Sequence, residues 1–364
     1  LVKERGCRIP VASFILNRYL QLQTINTLNH MSHLHIKLIS LSVIITLFAC
    51  KNDSHHADAD QTKDTIAVLT SRIEKDSTNA KNYFNRAQAY TKKSMYDLAY
   101  FDMLKATQLD SNNVEYMTLY ADLSFRMNKV KAARDVLEKV RAQQPDNYDA
   151  AFRLAEIFLY TNNQDLSLKY LDTVLQKEPK NTKAILMQGF NLKEKGDTAS
   201  AVASFRKAIE FDPKFYEAQI QLGMIMYAQQ NKLCVEYYKN ALALKPGSEE
   251  AMYGLAMWYQ DQRDFNKAIQ FYTDIIQVNP KNKYAYFNLG YIHHEYLKVY
   301  HEAIKHYSKA IEADPNYSQA YYNRGLCYEY LGNIAAAKDD YTKALQIRHN
   351  DYPPAKDGLD RLSK

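Results

Sequence analysis

Tryptophan occurs once in this chain and cysteine four times, at Cys7, Cys50, Cys234 and Cys327. No Cys-x-x-Cys pair is present, and the cysteines are widely separated, so neither a disulfide framework nor a finger-type metal site is encoded. Ten glycines and nine prolines in 364 residues are too few for a low-complexity or collagen-like chain. Nor do they form a Gly-rich phosphate loop or a nucleophile elbow. Excess charge is nearly absent from the bulk of the chain. The net charge is +6, but Lys3, Arg5, Arg8, Arg18 and Lys37 against Glu4 place most of it in the first fifty residues. A nucleic-acid binder would carry its excess as a stripe on the folded part, so that partner class is excluded. The longest apolar run, Leu38 to Ala49, is too short to span a bilayer, which takes ~20 residues.

What is present is a repeat. Six prolines between residues 80 and 351 stand at Pro145, Pro179, Pro213, Pro246, Pro280 and Pro315, spaced by 33 to 35 residues. Proline lacks the amide donor and restricts the residue before it, so each marks a helix end. Laid out at this period, the chain gives units 80–113, 114–147, 148–181, 182–215, 216–248, 249–282, 283–317 and 318–351. The eighth place is always Gly or Ala: Ala87, Ala121, Ala155, Gly189, Gly223, Ala256, Gly290 and Gly325. The twentieth is equally small: Ala99, Ala133, Ser167, Ala201, Cys234, Ala268, Ala303 and Ala337. Alignment there needs a one-residue deletion before Cys234 and a one-residue insertion in the turn before Ala303. Seven places on sits Ala, Val or Ile, so two helices per unit close against each other along a seam of small side chains. Cys234 and Cys327 fall in different units, and repeats that touch only their neighbours keep them apart.

A period of 34 with small residues at these places resembles the tetratricopeptide family over about three-quarters of the chain. The resemblance implies an all-α fold: a right-handed α-solenoid of eight helix-turn-helix repeats. Terminal repeats expose an apolar face and need covering. Ile66, Leu69 and Ile73 supply an N-terminal capping helix over 65–79, and Ala355, Leu359 and Leu362 a C-terminal one over 352–364.

The N-terminal part reads differently. Residues 1–30 contain no methionine and no clear period, and read as an upstream or mis-annotated extension; a transit peptide is the rival reading. From Met31 a short polar start precedes the apolar run, which suits a signal peptide over 31–49. Leu47-Phe48-Ala49-Cys50 resembles the lipobox of bacterial lipoproteins. That resemblance implies cleavage before Cys50, acylation of its sulfur and new amino group, and a membrane partner through the lipid anchor. The alternative is an ordinary secretory signal ending in a cysteine. Residues 50–64 read as a flexible tether. Lys51 and Asp53 faintly resemble the surface-export signal of lipoproteins in the Bacteroides group. The expected location is the bacterial cell envelope at the outer membrane, periplasmic or surface side open.

No catalytic constellation emerges, so no enzyme activity, cofactor, metal or small-molecule substrate is expected. His55, His56, Asp58 and Asp60 read as a solvated linker. His301-Glu302-Ala303-Ile304-Lys305-His306 looks like a zincin motif with one residue too many. Five residues turn a helix by about 500°, which points His301 and His306 apart.

The family resemblance also implies that the second, fifth, ninth, twelfth and thirteenth places line a concave groove. In the last four repeats these are Glu217, Ile220, Met224, Tyr227 and Ala228; Glu250, Tyr253, Met257, Gln260 and Asp261; Tyr284, Phe287, Tyr291, His294 and Glu295; and Gln319, Tyr322, Leu326, Glu329 and Tyr330. Acids appear there without Lys or Arg. Tyrosine joins an apolar body to a polar tip, which suits a surface wet when free and buried when bound. The expected partner is a protein offering an apolar, basic peptide or helix. For any single tyrosine, packing between neighbouring first helices is an equal alternative. The groove of carboxylate-binding chaperone co-factors is set aside: Asn288 and Asn323 are present but their basic partners are missing. The function expected is a non-catalytic protein-interaction scaffold. The alternative is a glycan-binding nutrient-uptake lipoprotein, against which stands the lack of long inserted loops.

Overall fold

A computed structural model describes residues 58–363, with side chains from residue 65. The extension, the signal peptide and Cys50 lie outside the described residues. Among those described, every regular element is helical. Eighteen α-helices follow one another: α1 Asp58–Lys75, α2 Ala80–Lys92, α3 Tyr96–Leu109, α4 Val114–Arg126, α5 Val130–Gln143, α6 Tyr148–Tyr160, α7 Gln164–Lys177, α8 Thr182–Glu194, α9 Thr198–Phe211, α10 Tyr216–Ala228, α11 Leu233–Leu244, α12 Glu249–Asp261, α13 Phe265–Val278, α14 Lys283–Tyr291, α15 Tyr300–Ala313, α16 Ser318–Tyr330, α17 Ile334–Ile347 and α18 Pro353–Leu362. A π-helical turn, Ile292–Tyr296, prolongs α14. The chain forms two compact units that divide after Pro213. One holds α1 and four hairpins, α2/α3 to α8/α9; the other holds four hairpins, α10/α11 to α16/α17, and α18.

Local chemistry sets the helix limits. Six of the eight hairpins open on an Asn or Ser cap: the side chains of Asn79, Asn113, Asn147, Asn181, Ser248 and Asn282 each accept from a backbone N–H of the first turn. Such a cap is worth about 1 kcal/mol. Within each hairpin the first helix ends on a left-handed residue: Ser94, Asn128, Asn162, Gly196, Gln230, Arg263, Lys298 and Gly332. That conformation turns the next amide back toward the helix, as in Asn163 N–H to Phe158 O at 2.8 Å. Helix α1 starts at Asp58, inside the stretch read as tether, because no Gly or Pro between Lys51 and Asn79 stops it.

The residues of the eighth, twentieth and twenty-seventh places are all buried. Against them sits a larger side chain at the twenty-fourth place: Met103, Leu137, Leu171, Phe205, Tyr238, Tyr272, Tyr307 and Tyr341, each essentially inaccessible. The first and last hairpins share a further device. Arg86 makes a two-pronged ion pair with Asp102 (2.7 Å on both prongs) and donates to Thr70 of α1. Arg324 repeats this with Asp340 and Ser308.

The extra residue of the seventh repeat is not in the turn. Residues 297–299 form a three-residue link like those of most other hairpins, and the insertion is absorbed inside the helix as the π turn, closed by Leu297 N–H to Ile292 O. The missing residue of the fifth repeat is met in the opposite way. Helix α11 starts late and tightly, with Cys234 N–H on Asn231 O and Val235 N–H on Lys232 O, three residues back rather than four.

Candidate functional site

The face that could receive a ligand belongs to the first helices. Successive first helices meet, α6 with α8 and α10 with α12. The approach is visible in side chains: Tyr227 of α10 meets Trp258 of α12 edge to face, and Asn288 of α14 donates to the Tyr253 hydroxyl at 2.8 Å. Second helices spread further apart, so within each unit the first helices form the inner side of the stack.

On that side in the C-terminal unit, the residues expected to line a groove separate into three groups. Tyr227, Met257, Ile220, Gln260 and His294 are interior, the first two at 2% and 0% exposure. Tyr227 and Met257 therefore cannot meet a ligand as the chain stands. The Tyr227 ring fills the space beside Trp258 and its hydroxyl donates to Asp261 at 2.7 Å. Burial, then the Asp261 carboxylate, raises its pKa well above the ordinary phenol range.

A second group is half-buried in a network of rings. Tyr253 packs on Tyr272, Tyr284 and Phe287 both pack on Tyr317, Tyr291 packs on Tyr296, and Tyr322 lies between Tyr341 and Tyr352. Each keeps part of its surface open, as do Glu217, Met224 and Leu326. Packing and exposure coexist in the same side chains.

The third group is exposed: Glu250, Asp261, Glu295 and Tyr330, the last at 60% and stacked on Tyr300 with ring centroids 5.0 Å apart. The acidity is weaker than composition suggests. Glu329 is engaged by Arg361 of α18 at 3.0 Å and by the Tyr341 hydroxyl. Burial opposes its charge, but Arg361 and Tyr341 outweigh that and hold the carboxyl below its ordinary pKa.

The N-terminal unit carries a cleft of about 580 Å³ on its own inner side, lined by Phe84, Gln88, Thr91, Lys92, Glu115, Thr118, Leu119 and Asp122. All but Leu119 stand at the groove places of the first two repeats, so the same positional rule would have found them. Deeper in this unit Glu156 is buried, and burial pushes its carboxyl up to about 8.

The histidines arrange differently from the motif. His301 is exposed, whereas His306 faces His293 across the hairpin with ring centroids 5.1 Å apart. Burial, helped by the neighbouring His293, pushes His306 down to about 4. Burial does the same to His294, whose Nδ1 has no hydrogen-bond partner. No helix among the described residues is long and apolar enough to cross a membrane.

Comparison with known proteins agrees with this architecture. Models described as tetratricopeptide repeat match residues 80–113, 125–187, 182–215, 250–282 and 318–351, and one described as TPR repeat matches 298–332. The interferon-induced protein with tetratricopeptide repeats 2 of Cricetulus griseus is 25% identical over 185 residues, 47% of this chain and 39% of that one. A UDP-N-acetylglucosamine–peptide N-acetylglucosaminyltransferase of Giardia intestinalis is 26% identical over 151 residues, 41% of this chain and 9% of the transferase. The chain thus spans well under half the length of these curated relatives. A tetratricopeptide repeat protein structure from Parabacteroides merdae is 16% identical, with 69% of this chain and 99% of that one covered at a TM-score of 0.49. With more than half of its residues inside the matched segments, the chain belongs to the tetratricopeptide-repeat proteins.

Proposed function

We propose that this chain is a non-catalytic adaptor that holds a peptide or helix of another protein along the first helices of its C-terminal unit. Tetratricopeptide repeats generally mediate contacts between proteins. The observation that carries the specific reading is the row of partly open rings, Tyr253, Tyr284, Phe287, Tyr291, Tyr322 and Tyr330, on one side of three consecutive first helices, α12, α14 and α16. Rings already fixed by their neighbours lose little conformational freedom on binding, and their polar tips tolerate water when free. Glu217, Glu250 and Glu295 beside them favour Lys or Arg on the ligand. The occupant is therefore an apolar segment with basic flanks.

The test uses residues that do not hold the fold together. Glu250, Glu295 and Tyr330 are exposed, so Glu250→Lys/Glu295→Lys/Tyr330→Ala leaves the core intact. Fluorescence polarisation with apolar-basic peptides and with their charge-reversed counterparts is expected to show a loss of at least tenfold, on the order of 1.4 kcal/mol, for the basic set alone. Equal affinity of the triple variant and the original for every peptide sinks the groove reading.

The lipid anchor is a separate part of the proposal, supported by the sequence Leu47-Phe48-Ala49-Cys50 after a short apolar run. It would place the adaptor at a bacterial envelope. Metabolic labelling with a palmitate analogue is expected to mark the original chain and not Cys50→Ala; an unlabelled original chain removes the anchor and leaves the groove untouched.

A further inference from the structure

The turn inside each hairpin needs one left-handed residue and nothing apolar. In the third to sixth hairpins both neighbours of that residue are polar, as Lys195 and Asp197 are around Gly196, and Gln262 and Asp264 around Arg263. The last two hairpins depart from this. Leu297 and Val299 flank Lys298, Leu331 precedes Gly332, and all three stand exposed, as do Tyr296, Tyr330 and Ile334 beside them. Ring stacking makes the two turns one surface: Tyr300, next to Val299, lies on Tyr330 with centroids 5.0 Å apart and planes 13° from parallel. On the other side Tyr296 stacks on Phe265 at 4.6 Å and so reaches the charged turn of the sixth hairpin, where the strip ends. The six exposed side chains offer roughly 500 Å² of mostly apolar surface, toward the upper end for the largest patch on a monomer. Of this edge only Glu295 and Tyr330 are shared with the inner face.

Charge and area together say what covers it. The exposed segments 295–299 and 330–335 carry one acid, Glu295, and one base, Lys298, with no excess of either sign. The two stand 3.9 Å apart with both side chains largely in water, a pair too loose to hold either one in place. A strongly basic or acidic partner finds no field to follow here, whereas a second copy of the same surface brings one charge of each sign. In a two-fold contact the same patch serves on both sides, so Lys298 of one copy meets Glu295 of the other twice over. With Glu295, Lys298, Gly332, Asn333 and Ala335 at its rim, the edge reaches about the 800 Å² per partner that a specific interface buries. We infer that two copies of this chain pair edge to edge through the turns of the seventh and eighth hairpins, the apolar strip at the centre and two Lys298–Glu295 pairs at the rim. The pairing depends on neither the groove nor the lipid anchor.

The experiment is sedimentation velocity of the full chain. Every variant keeps the same N-terminal apolar run, so a difference between variants belongs to the edge. The original chain is expected to form a dimer with a dissociation constant in the micromolar range. Leu297→Ser/Val299→Ser/Leu331→Ser should weaken it at least tenfold while the helical circular-dichroism spectrum is retained. Those three residues lie outside the inner face, so peptide binding there is unaffected and the two readings fail separately. Glu295→Lys and Lys298→Glu should each weaken pairing at least tenfold, and an equal mixture of the two should restore it, because each supplies the charge the other lacks. That rescue needs two folded chains and a two-fold contact, so misfolding cannot imitate it. A chain that stays monomeric at high micromolar concentration, or a dimer that survives the triple change, overturns the pairing. Flotation with phosphatidylcholine vesicles tests the other occupant: binding lost in the triple variant, with no dimer in solution, assigns the edge to lipid and likewise overturns it.

Discussion

The Tyr238 ring occupies the place where a side chain on Gly223 would begin. A methyl group built there would sit 2.7 Å from Cδ1 and Cε1 of the ring, and Gly254 of the next hairpin closes on the same ring from the other side. Gly290 with Tyr307 and Gly325 with Tyr341 repeat the arrangement. Where the twenty-fourth place is Met or Leu, the eighth is Ala (Ala87 with Met103, Ala121 with Leu137, Ala155 with Leu171), and of the four tyrosines at that place only Tyr272 has Ala, Ala256, at the eighth. Gly223→Ala is therefore expected to lower stability by about 1–3 kcal/mol, the range for overpacking a filled core. Urea unfolding measures this. The Gly223→Ala/Tyr238→Leu double variant should be more stable than the sum of its single changes predicts. Additivity would mean that the two residues do not compete for space.

Lys298 and Arg263 hold left-handed backbones at φ 58° and 60°, where their sister hairpins have Gly196 and Gly332. A side chain there costs roughly 1–2 kcal/mol relative to glycine. Lys298→Gly and Arg263→Gly should each raise the urea midpoint by the equivalent of about 0.5–1 kcal/mol, part of the gain being returned to the more flexible unfolded chain. A lowered midpoint would show that these side chains stabilise the turn in some other way.

Glu156 supplies a pH dependence of stability. Its carboxyl titrates near 8 when folded, because burial disfavours the charge, against an ordinary 4.5. Between those values the folded chain keeps a proton that the unfolded chain has lost. Its contribution is complete below about pH 4.5 and declines as pH rises to 8. Glu156→Gln should flatten the slope of stability across pH 5–8, a change of about 3–4 kcal/mol over that span. Denaturant midpoints at several pH values test this; identical slopes would place the titration elsewhere.

Asp340 is 5% exposed and matched to Arg324 by two hydrogen bonds of 2.7 and 2.8 Å. Removing one charge strands the other, which costs about 3–5 kcal/mol. Asp340→Ala is expected to show that loss, and Asp340→Leu/Arg324→Met to recover much of it. Equal stability of the single and double variants would mean that the stranded arginine reaches water.

The seam was legible because eight copies restate it. Each of these residues alone means little, yet a small residue at the eighth and twentieth places of every unit, with Ala, Val or Ile at the twenty-seventh, leaves no freedom in how the two helices close. The twenty-fourth place is harder to read, because Met, Leu, Phe and Tyr differ in size and shape although each fills the space beside the seam. Nor does a one-residue excess say where it will be absorbed: the alignment before Ala303 fits a longer turn and a π turn equally well. At the inner face, a positional rule names the side of the helix but not what stands beside it. Nothing in the spacing of Tyr227 says that Trp258 and Asp261 will enclose it, while Tyr330, at the same end of its helix, stays open.

The π turn at Ile292–Tyr296 and the tight start of α11 can be regarded as phase correction. One residue too many and one too few are each cancelled within a hairpin, so the helices that follow receive the chain with its buried stripe in the original rotational setting. A length change placed where neither device can form, in the middle of α15 for instance, would carry its angular error of about 100° into the rest of that helix, turning the Tyr307–Ala310 stripe toward water. Tolerance to insertion in this chain is thus set by distance from a first-helix end rather than by distance from the surface.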